Sequence, residues 1–107
     1  MDRKPDPITL KLLKNHLSFL NEKFSPCKII LFGSRARGDH LENSDIDLIV
    51  ISDKFKNIPF RKRLIQAYGS WDNKINLEII CYTFEEFEIK KNQIGTINQA
   101  FKDGIEL

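Results

Sequence analysis

The chain has 107 residues, of which 41% are hydrophobic and 30% are charged, and its formal net charge is +2. A chain of this length can bury roughly 65% of the surface that its unfolded form exposes, so we expect a real core rather than disorder. The balanced charge lacks the strongly basic surface of a duplex-binding protein, and we expect no direct binding to nucleic acid. The sequence therefore predicts a single domain over residues 1–107.

The composition also indicates a cytoplasmic protein. No apolar run approaches the roughly 20 residues that span a membrane, and the N-terminus lacks the apolar segment of a signal peptide. Cys27 and Cys81 each lie in an apolar, strand-like run and do not have the spacing of metal ligands. We therefore expect two free thiols in a reducing compartment and no association with a membrane.

The first half of the chain predicts a helix followed by two strands. Apolar side chains recur at intervals of three and four residues in the first segment, which is the spacing of one helix face. Ser25-Pro26 ends this helix, because proline disfavours helical geometry in the residue before it. The predicted segments are a helix at residues 8–24, a strand at 27–32, a helical turn at 34–38, a loop at 39–44 and a second strand at 45–51.

The second half predicts three further helical segments and one strand. Thr83 with Glu86 three residues later resembles a capping box, which marks the start of a helix. The order of the elements predicts a mixed α/β (α+β) fold, with a small three- to four-stranded sheet flanked by helices. The predicted segments are a helix from Phe60 to about residues 72–73, a strand at 75–82, a helix that begins at the capping box, and a last helical segment at 96–102.

Two aspartates stand at the head of the second predicted strand. Side chains alternate along a strand, so Asp45 and Asp47 share a face, and the apolar residues that follow on both faces indicate a central strand. At about 6 to 7 Å between their Cβ atoms, two such charges repel by roughly 2 to 3 kcal/mol at an effective dielectric constant near 20. This arrangement favours a bound cation, although an Asp-x-Asp pair can also cap a strand or a loop.

Glu78 repeats this anomaly in the third predicted strand. It is the only residue within INLEIICY that is charged at neutral pH, and we expect it to be shielded from bulk water. If this strand lies beside the second, Glu78 can join Asp45 and Asp47 in a cluster of three carboxylates, which selects hard divalent ions such as Mg²⁺. The alternative is an edge-strand charge that faces water.

The Gly33-Ser34 turn follows the first strand and can direct backbone N–H groups and a hydroxyl at an anion. Glycine permits the close approach and the sharp bend. A Gly-Ser turn alone is common in proteins. Combined with a carboxylate metal site on the neighbouring strand, it describes a nucleoside triphosphate site, in which two metal ions can clamp the attacking and leaving oxygens.

The motifs GSRARG, from Gly33 to Gly38, and SDIDL, from Ser44 to Leu48, resemble the signature of the nucleotidyltransferase superfamily that includes DNA polymerase β. Together with the short chain, they are most similar to the minimal nucleotidyltransferases, which are the antitoxin partners of HEPN-domain toxins. The resemblance extends from the first helix to the last helical segment. It implies the nucleotidyltransferase fold.

The resemblance also implies roles for particular residues. Asp45 and Asp47 are expected to bind Mg²⁺, and Glu78 corresponds to the third carboxylate of the catalytic set. Aspartate is commoner at that third position, and glutamate moves the carboxylate by roughly one bond length. Gly33 and Ser34 are expected to hold the β- and γ-phosphates of ATP. The implied reaction, which uses two Mg²⁺ ions, transfers AMP from ATP to a hydroxyl, in some members to a tyrosine of the cognate toxin.

Other charged and polar side chains are weaker candidates. Arg37 and Ser44 are candidate nucleotide contacts. For Arg37, and also for Arg35, the alternative to a triphosphate contact is an ion pair with a nearby surface carboxylate, Asp39 or Glu42. We expect His16 to be structural and His40 to be exposed. A basic segment contains five cations within ten residues, and it is either a solvated face or a phosphate contact; its members are Lys54, Lys56, Arg61, Lys62 and Arg63.

Two classes of function remain open at this point. The chain is either an enzyme that transfers AMP to a cognate HEPN-type toxin or an antitoxin that neutralises its partner by contact alone. Transfer to a small molecule, as in the aminoglycoside-modifying relatives, is a third possibility. It ranks last because 107 residues leave little room for a second substrate-binding lobe, unless a homo-oligomer supplies one.

Overall fold

The structure is a computed structural model that describes residues 4–107, which form five α-helices around a sheet of four strands. Among these described residues, no helix is both long and apolar enough to cross a membrane. In chain order the elements are α1 (Pro7–Phe24), β1 (Cys27–Phe32), α2 (Ser34–Arg37), β2 (Ile46–Ser52), α3 (Phe60–Tyr68), β3 (Leu77–Tyr82), α4 (Phe84–Lys91), α5 (Thr96–Asp103) and β4 (Ile105–Glu106).

The sheet is mixed, and its strand order is β3-β2-β1-β4. Strand β2 is antiparallel to β1 and parallel to β3, which confirms its predicted central position and makes β3 an edge strand. The register pairs Asp47 with Phe32 on one side and with Glu78 on the other. The predicted mixed α/β fold is confirmed, and the two-residue strand β4 supplies the fourth strand.

The two faces of the sheet bury two separate apolar clusters. Leu31, Leu48 and Val50 point into the larger cluster, which also contains Leu13 and Leu20 of α1. The smaller cluster, on the other face, is covered by α4 and α5 and contains Ile30, Ile49, Ile51, Tyr82, Phe87 and Ala100. Because side chains alternate along β2, Asp47 is on the same face as Ile49 and Ile51, at the end where that smaller cluster stops.

Helix α3 is shorter than its apolar spacing predicts. It ends at Tyr68, because Gly69 has a φ of +52° and a Cβ at that position would collide with the Phe19 ring. Trp71, which continues the apolar periodicity, lies beyond the helix and donates its indole N–H to the carbonyl of Ile75 (3.0 Å). The apolar spacing reports burial of Trp71 but does not extend the helix to it.

The predicted capping box at the start of α4 is confirmed. The Thr83 hydroxyl accepts from the amide of Glu86 (3.2 Å), and the Glu86 carboxylate accepts from the amide of Thr83 (2.8 Å). Glu86 also forms a salt bridge with Arg63 (2.6 Å), which joins α4 to α3. Local sequence and tertiary contact therefore specify the same helix start.

Candidate functional site

Asp47 and Glu78 form the centre of the candidate site. Their Cα atoms are partners in the parallel β2–β3 ladder, so their side chains lie next to each other on the same face of the sheet. Burial raises the pKa of the half-buried Asp47 to about 6, with further contributions from the charges of Glu78 and Asp45, whereas Arg37 acts in the opposite direction. The prediction that Glu78 can reach the aspartates is confirmed for Asp47.

Glu78 itself is exposed, so the expectation that it is shielded from water is wrong. The reason is topological, because β3 is an edge strand and has a neighbour on one side only. The sequence could not distinguish this arrangement from a central strand, since the other residues of INLEIICY are mostly apolar. Glu78 is therefore an edge-strand charge and a neighbour of Asp47 at the same time.

Asp45 is one residue outside β2 and is exposed. Its charge contributes to the raised pKa of Asp47, which places it close enough to interact electrostatically. Within residues 4–107, however, no three His, Cys, Asp or Glu side chains stand in an arrangement that could hold one metal ion. The structure thus assembles Asp47 with Glu78 but does not bring the predicted three carboxylates together as a ready ligand set.

The Gly33-Ser34 turn packs directly against Asp47. Gly33 has a φ of +75°, and a Cβ built there would collide with the Asp47 carboxylate, with its Cγ only 3.3 Å away. The Gly33 carbonyl accepts from the amides of Ala36 and Arg37 (both 3.1 Å), which begins the short helix α2 at Ser34. Glycine is required here for its backbone conformation and for the space that Asp47 occupies.

Arg35 does not face the site, and neither alternative left open for it, a triphosphate contact or an ion pair at the surface, describes its position. Its side chain is buried, with a residue exposure of 2%. It donates from Nε to the carbonyl of Ser44 (3.0 Å), from Nη1 to the Thr9 hydroxyl (2.9 Å) and from Nη2 to the carbonyl of Glu42 (3.0 Å). Each of the three guanidinium nitrogens thus donates to an acceptor of this chain.

Arg37, by contrast, is exposed and pairs with the Asp39 carboxylate (3.2 Å), one of the two alternatives left open. It also lines a cavity of about 360 Å³ that opens between α2 and α5. Ser44, a predicted nucleotide contact, accepts from the amide of Leu41 (2.8 Å) through its hydroxyl, so in this structure it stabilises the loop before Asp45. The cavity is lined by Phe32, Gly33, Arg37, Gly95, Thr96, Gln99, Ala100 and Asp103.

The two histidines differ in their agreement with expectation. His16 is structural as predicted, because it is buried and its Nε2 is 2.9 Å from the carbonyl of Ala67; burial lowers its pKa. His40 is not exposed, since 18% of its side chain is accessible and its Nε2 is 3.4 Å from Asp6 Oδ2. Asp6 belongs to a predicted loop-helix boundary, and only the tertiary structure brings it next to residue 40.

The basic segment is divided by the fold. Arg63 is buried and bound to Glu86, so it does not belong to a surface patch. The remaining members are exposed, which agrees with the interpretation of a solvated face. They are Lys54, Lys56, Arg61 and Lys62. Both cysteines are free as expected, although Cys27 is only half-buried.

Two parts of the site were missed by sequence reasoning. The α5 wall of the cavity, including Thr96 and Gln99, carried no signal beyond helical periodicity. Thr9 did carry one, because it continues the buried face of α1 formed by Leu13, Leu20 and Phe24. A polar residue in an apolar stripe indicates a buried hydrogen-bond partner, here Arg35.

The donor chemistry of the site fits a divalent cation. Asp45, Asp47 and Glu78 offer only carboxylate oxygens, which Mg²⁺ prefers to nitrogen or sulfur. The half-buried position of Asp47 and the like charges around it make its ionised form costly, and a nearby cation would relieve that cost. The residues present are therefore suited to such an ion, with Asp47 as the central ligand.

The chain is similar to known proteins along most of its length. The sequence profile described as "Nucleotidyltransferase domain" matches residues 13–103. MJ1379 of Methanocaldococcus jannaschii, named "Putative protein adenylyltransferase", is 43% identical over 73 residues, which cover 68% of this chain and 72% of that protein. MJ0604 of the same organism carries the same name and is 47% identical over 45 residues; these cover 40% of this chain and 45% of that protein, less than half its length.

A solved structure shares the fold. It is described as a "putative nucleotidyltransferase" from Sulfolobus solfataricus, and it superposes on this chain with a TM-score of 0.62 at 29% sequence identity. The superposition covers 75% of this chain and 71% of that one. The fold of this chain is thus shared with that protein.

Proposed function

Because this chain belongs to the nucleotidyltransferase domain family, we propose that it transfers AMP from ATP to a hydroxyl group of a partner protein in the cytoplasm. The proposed acceptor is a tyrosine of a cognate HEPN-type RNase toxin, which the modification silences. The names of the relatives MJ1379 and MJ0604 support a protein acceptor. The toxin as partner is supported by the resemblance of the GSRARG and SDIDL motifs to the minimal nucleotidyltransferases.

The single observation that carries this proposal is the contact between the Gly33-Ser34 turn and the Asp47 carboxylate. A residue with a side chain cannot replace Gly33 without displacing Asp47. The turn suited to phosphate and the carboxylate suited to a cation are therefore side by side. This is the adjacency that the metal-bound triphosphate of ATP requires.

Mg²⁺ is the proposed metal, and Asp45, Asp47 and Glu78 are the residues that would hold it. When bound, the ion polarises the reacting phosphate and stabilises the charge that develops on the departing pyrophosphate. The chain's own contribution is positional. Central strand β2 fixes Asp47, edge strand β3 brings Glu78 beside it, and the exposed Glu78 can accept the proton of an incoming hydroxyl.

The nucleotide is proposed to enter through the cavity of about 360 Å³ beside Gly33. Arg37 is the cation on its wall, and its present partner Asp39 is exposed, so an incoming phosphate can compete for it. Ser34 follows Gly33 of that wall and begins α2, and the first N–H groups of a helix lack partners within the helix. Phosphate contact is therefore proposed for Arg37 and Ser34, and not for Arg35.

Labelled ATP, Mg²⁺ and the purified HEPN-type toxin test this proposal. The wild-type chain is expected to transfer label to the toxin, and Asp47→Asn, which keeps the shape of the side chain, should reduce transfer by about 10²-fold or more. Asp72→Asn is the matched control, because it removes an exposed carboxylate that lies in the loop before β3. Absence of transfer by the wild type, or equal transfer by the wild type and Asp47→Asn, would contradict the proposal.

A second candidate function is neutralisation of the toxin by binding alone. The observation that favours it is the incomplete ligand set, since residues 4–107 contain no three side chains arranged to hold a metal. On this hypothesis, a chain with both Asp45→Ala and Asp47→Ala still protects cells from the toxin. Loss of protection by this double variant, together with an unchanged affinity for the toxin, would exclude it.

A further inference from the structure

We propose that Arg35 is a positioning residue that holds the Asp45 carboxylate in place relative to Asp47. It lies on α2, immediately after the Gly33-Ser34 turn, but its guanidinium points away from the site and into the protein. The effect that we expect on metal binding rests on the proposed function. Its structural part, that Arg35 holds the loop before β2 in place, is independent of that function.

The guanidinium joins three separate segments. Nε and Nη2 donate to the carbonyls of Ser44 and Glu42, which belong to the loop that leads into β2, and Nη1 donates to the hydroxyl of Thr9 on α1. All three distances lie between 2.9 and 3.0 Å. Arg35 thus binds the loop through its backbone carbonyls, and these contacts do not depend on the side chains of Glu42 and Ser44.

The anchor on α1 is itself fixed. Thr9 is fully buried, and its hydroxyl donates to the Asp6 carboxylate (2.6 Å), which also accepts from the amide of Thr9 (2.9 Å). Asp6 is the N-cap of α1, and it lies beside His40 of the same loop (3.4 Å). The loop is therefore attached at two points, at His40 and at residues 42–44, to the rigid start of one helix.

The attachment ends one residue before the first carboxylate. Ser44 precedes Asp45, and β2 begins at Ile46 with an amide that donates to the carbonyl of Asn76 (2.9 Å). Asp45 stands between these two fixed points, outside the sheet. Loss of the Arg35 contacts would leave Asp45 with a fixed neighbour on its C-terminal side only, so its direction relative to Asp47 and Glu78 would vary.

Lysine cannot replace arginine in this role. A planar guanidinium offers donors in fixed directions, whereas an ammonium is a point charge on a flexible chain and cannot reach two carbonyls and a hydroxyl in the same geometry. Arg35→Lys keeps the charge and most of the apolar volume. It therefore tests the three-way attachment rather than the presence of a cation.

Arg63→Lys is the matched control. Arg63 is the other buried arginine of the described residues, at 4% exposure, and it also donates to two carbonyls, those of Ile58 (2.7 Å) and Cys81 (3.3 Å). Cys81 lies three residues beyond Glu78 on β3, away from the end of the sheet that carries the carboxylates. A general loss of stability should affect both variants, but only Arg35→Lys should affect the site.

The first measurement is amide hydrogen exchange over residues 41–47 in EDTA, which needs no metal or nucleotide. Arg35→Lys is expected to speed exchange in this segment by about tenfold or more, while Arg63→Lys leaves it within about twofold of the wild type. Equal exchange in Arg35→Lys and the wild type, or equal acceleration in both variants, would overturn the positioning role. If Arg35→Lys does not fold, the pair Thr9→Val and Thr9→Ser replaces it, because only serine keeps the hydroxyl that Arg35 binds. Exchange in residues 41–47 is then expected to be faster in Thr9→Val than in Thr9→Ser. Equal exchange in these two variants overturns the proposal.

The second measurement is Mn²⁺ affinity without nucleotide, by electron paramagnetic resonance. A misplaced ligand weakens a site steeply, and Arg35→Lys is expected to reduce the affinity by about tenfold or more, with no comparable loss in Arg63→Lys. A wild-type chain that binds no Mn²⁺ would count against the proposed function, and the exchange measurement would still decide the role of Arg35. Unchanged Mn²⁺ affinity in Arg35→Lys would overturn its role at the metal site.

Discussion

Asp47 and Glu78 are partners on neighbouring parallel strands, and the charge of Glu78 contributes to the raised pKa of Asp47. Two ionised carboxylates at such positions repel each other. A proton on Asp47 relieves this repulsion, and a bound cation would relieve it in the same way. This relationship leads to the first two predictions.

Variants of Glu78 should separate its charge from its length. Under the proposed AMP transfer, Glu78→Gln removes the charge and should reduce the rate by about 10²-fold or more, because a neutral amide neither balances a cation nor accepts a proton. Glu78→Asp keeps the charge and moves it by roughly one bond length, so its rate should stay closer to that of the wild type. Label transfer to the toxin measures both, and a Glu78→Gln chain as active as Glu78→Asp would contradict the prediction.

The raised pKa of Asp47 predicts how stability depends on pH. The folded-state pKa is about 6 and the ordinary value is 3.8, so the folded chain holds this proton more tightly than the unfolded chain does. The free energy of unfolding should therefore fall as the pH rises from about 4 through 6, by at most about 3 kcal/mol. Asp47→Asn, which cannot ionise, should lose this fall. Urea unfolding in EDTA at pH 4.5 and 7.5 measures it, and identical pH dependence in the two chains would show the prediction to be wrong.

Gly33 and Gly38 are two glycines of one motif that share a positive φ but differ in ψ, which is −157° at Gly33 and 7° at Gly38. Both have positive φ, +75° and +87°, but a Cβ at Gly33 would collide with the Asp47 carboxylate, whereas nothing lies within 4 Å of a Cβ at Gly38. Each alanine substitution should cost about 1 kcal/mol or more in backbone strain. Only Gly33→Ala should also displace Asp47 and so abolish Mn²⁺ binding. Chemical denaturation and Mn²⁺ titration give the two readouts, and equal Mn²⁺ affinity in both variants would refute the special role of Gly33.

Glu86 predicts a second pH dependence, of opposite sign and away from the site. Its hydrogen bond to Arg63 lowers the pKa of Glu86 from 4.5 to about 2, so the ionised carboxylate stabilises the folded chain above about pH 4.5, and that contribution is lost as the pH falls toward 2. Because 34% of the side chain is accessible, the contribution is about 1 to 2 kcal/mol rather than the full shift.

Glu86→Gln keeps the capping box, since glutamine can also accept from the Thr83 amide, and removes only the charge. The difference in free energy of unfolding between the wild type and this variant should be present at pH 6 and nearly absent at pH 2.5. Thermal or urea unfolding across this range measures it. A difference that stays constant with pH would assign the stabilisation to the hydrogen-bond geometry instead of the charge.

The order of the elements up to α5 and the location of the candidate site follow from local sequence patterns. Apolar spacing and the Thr83 capping box specify helices through contacts within four residues, and the alternation around Asp47 specifies a central strand, because both patterns depend on local geometry alone. The motifs around Gly33 and Asp45 likewise identify the family from residues that are neighbours in the chain.

Which side chains contact each other depends on the tertiary structure. Arg35 and Arg37 are two residues apart in one motif, yet one is buried against Thr9 and the other lines the cavity, since α2 turns them in different directions. Glu78 is exposed because β3 is an edge, and His40 is half-buried because Asp6 lies beside it. These outcomes depend on contacts between residues far apart in sequence, and residue type and spacing do not predict such contacts.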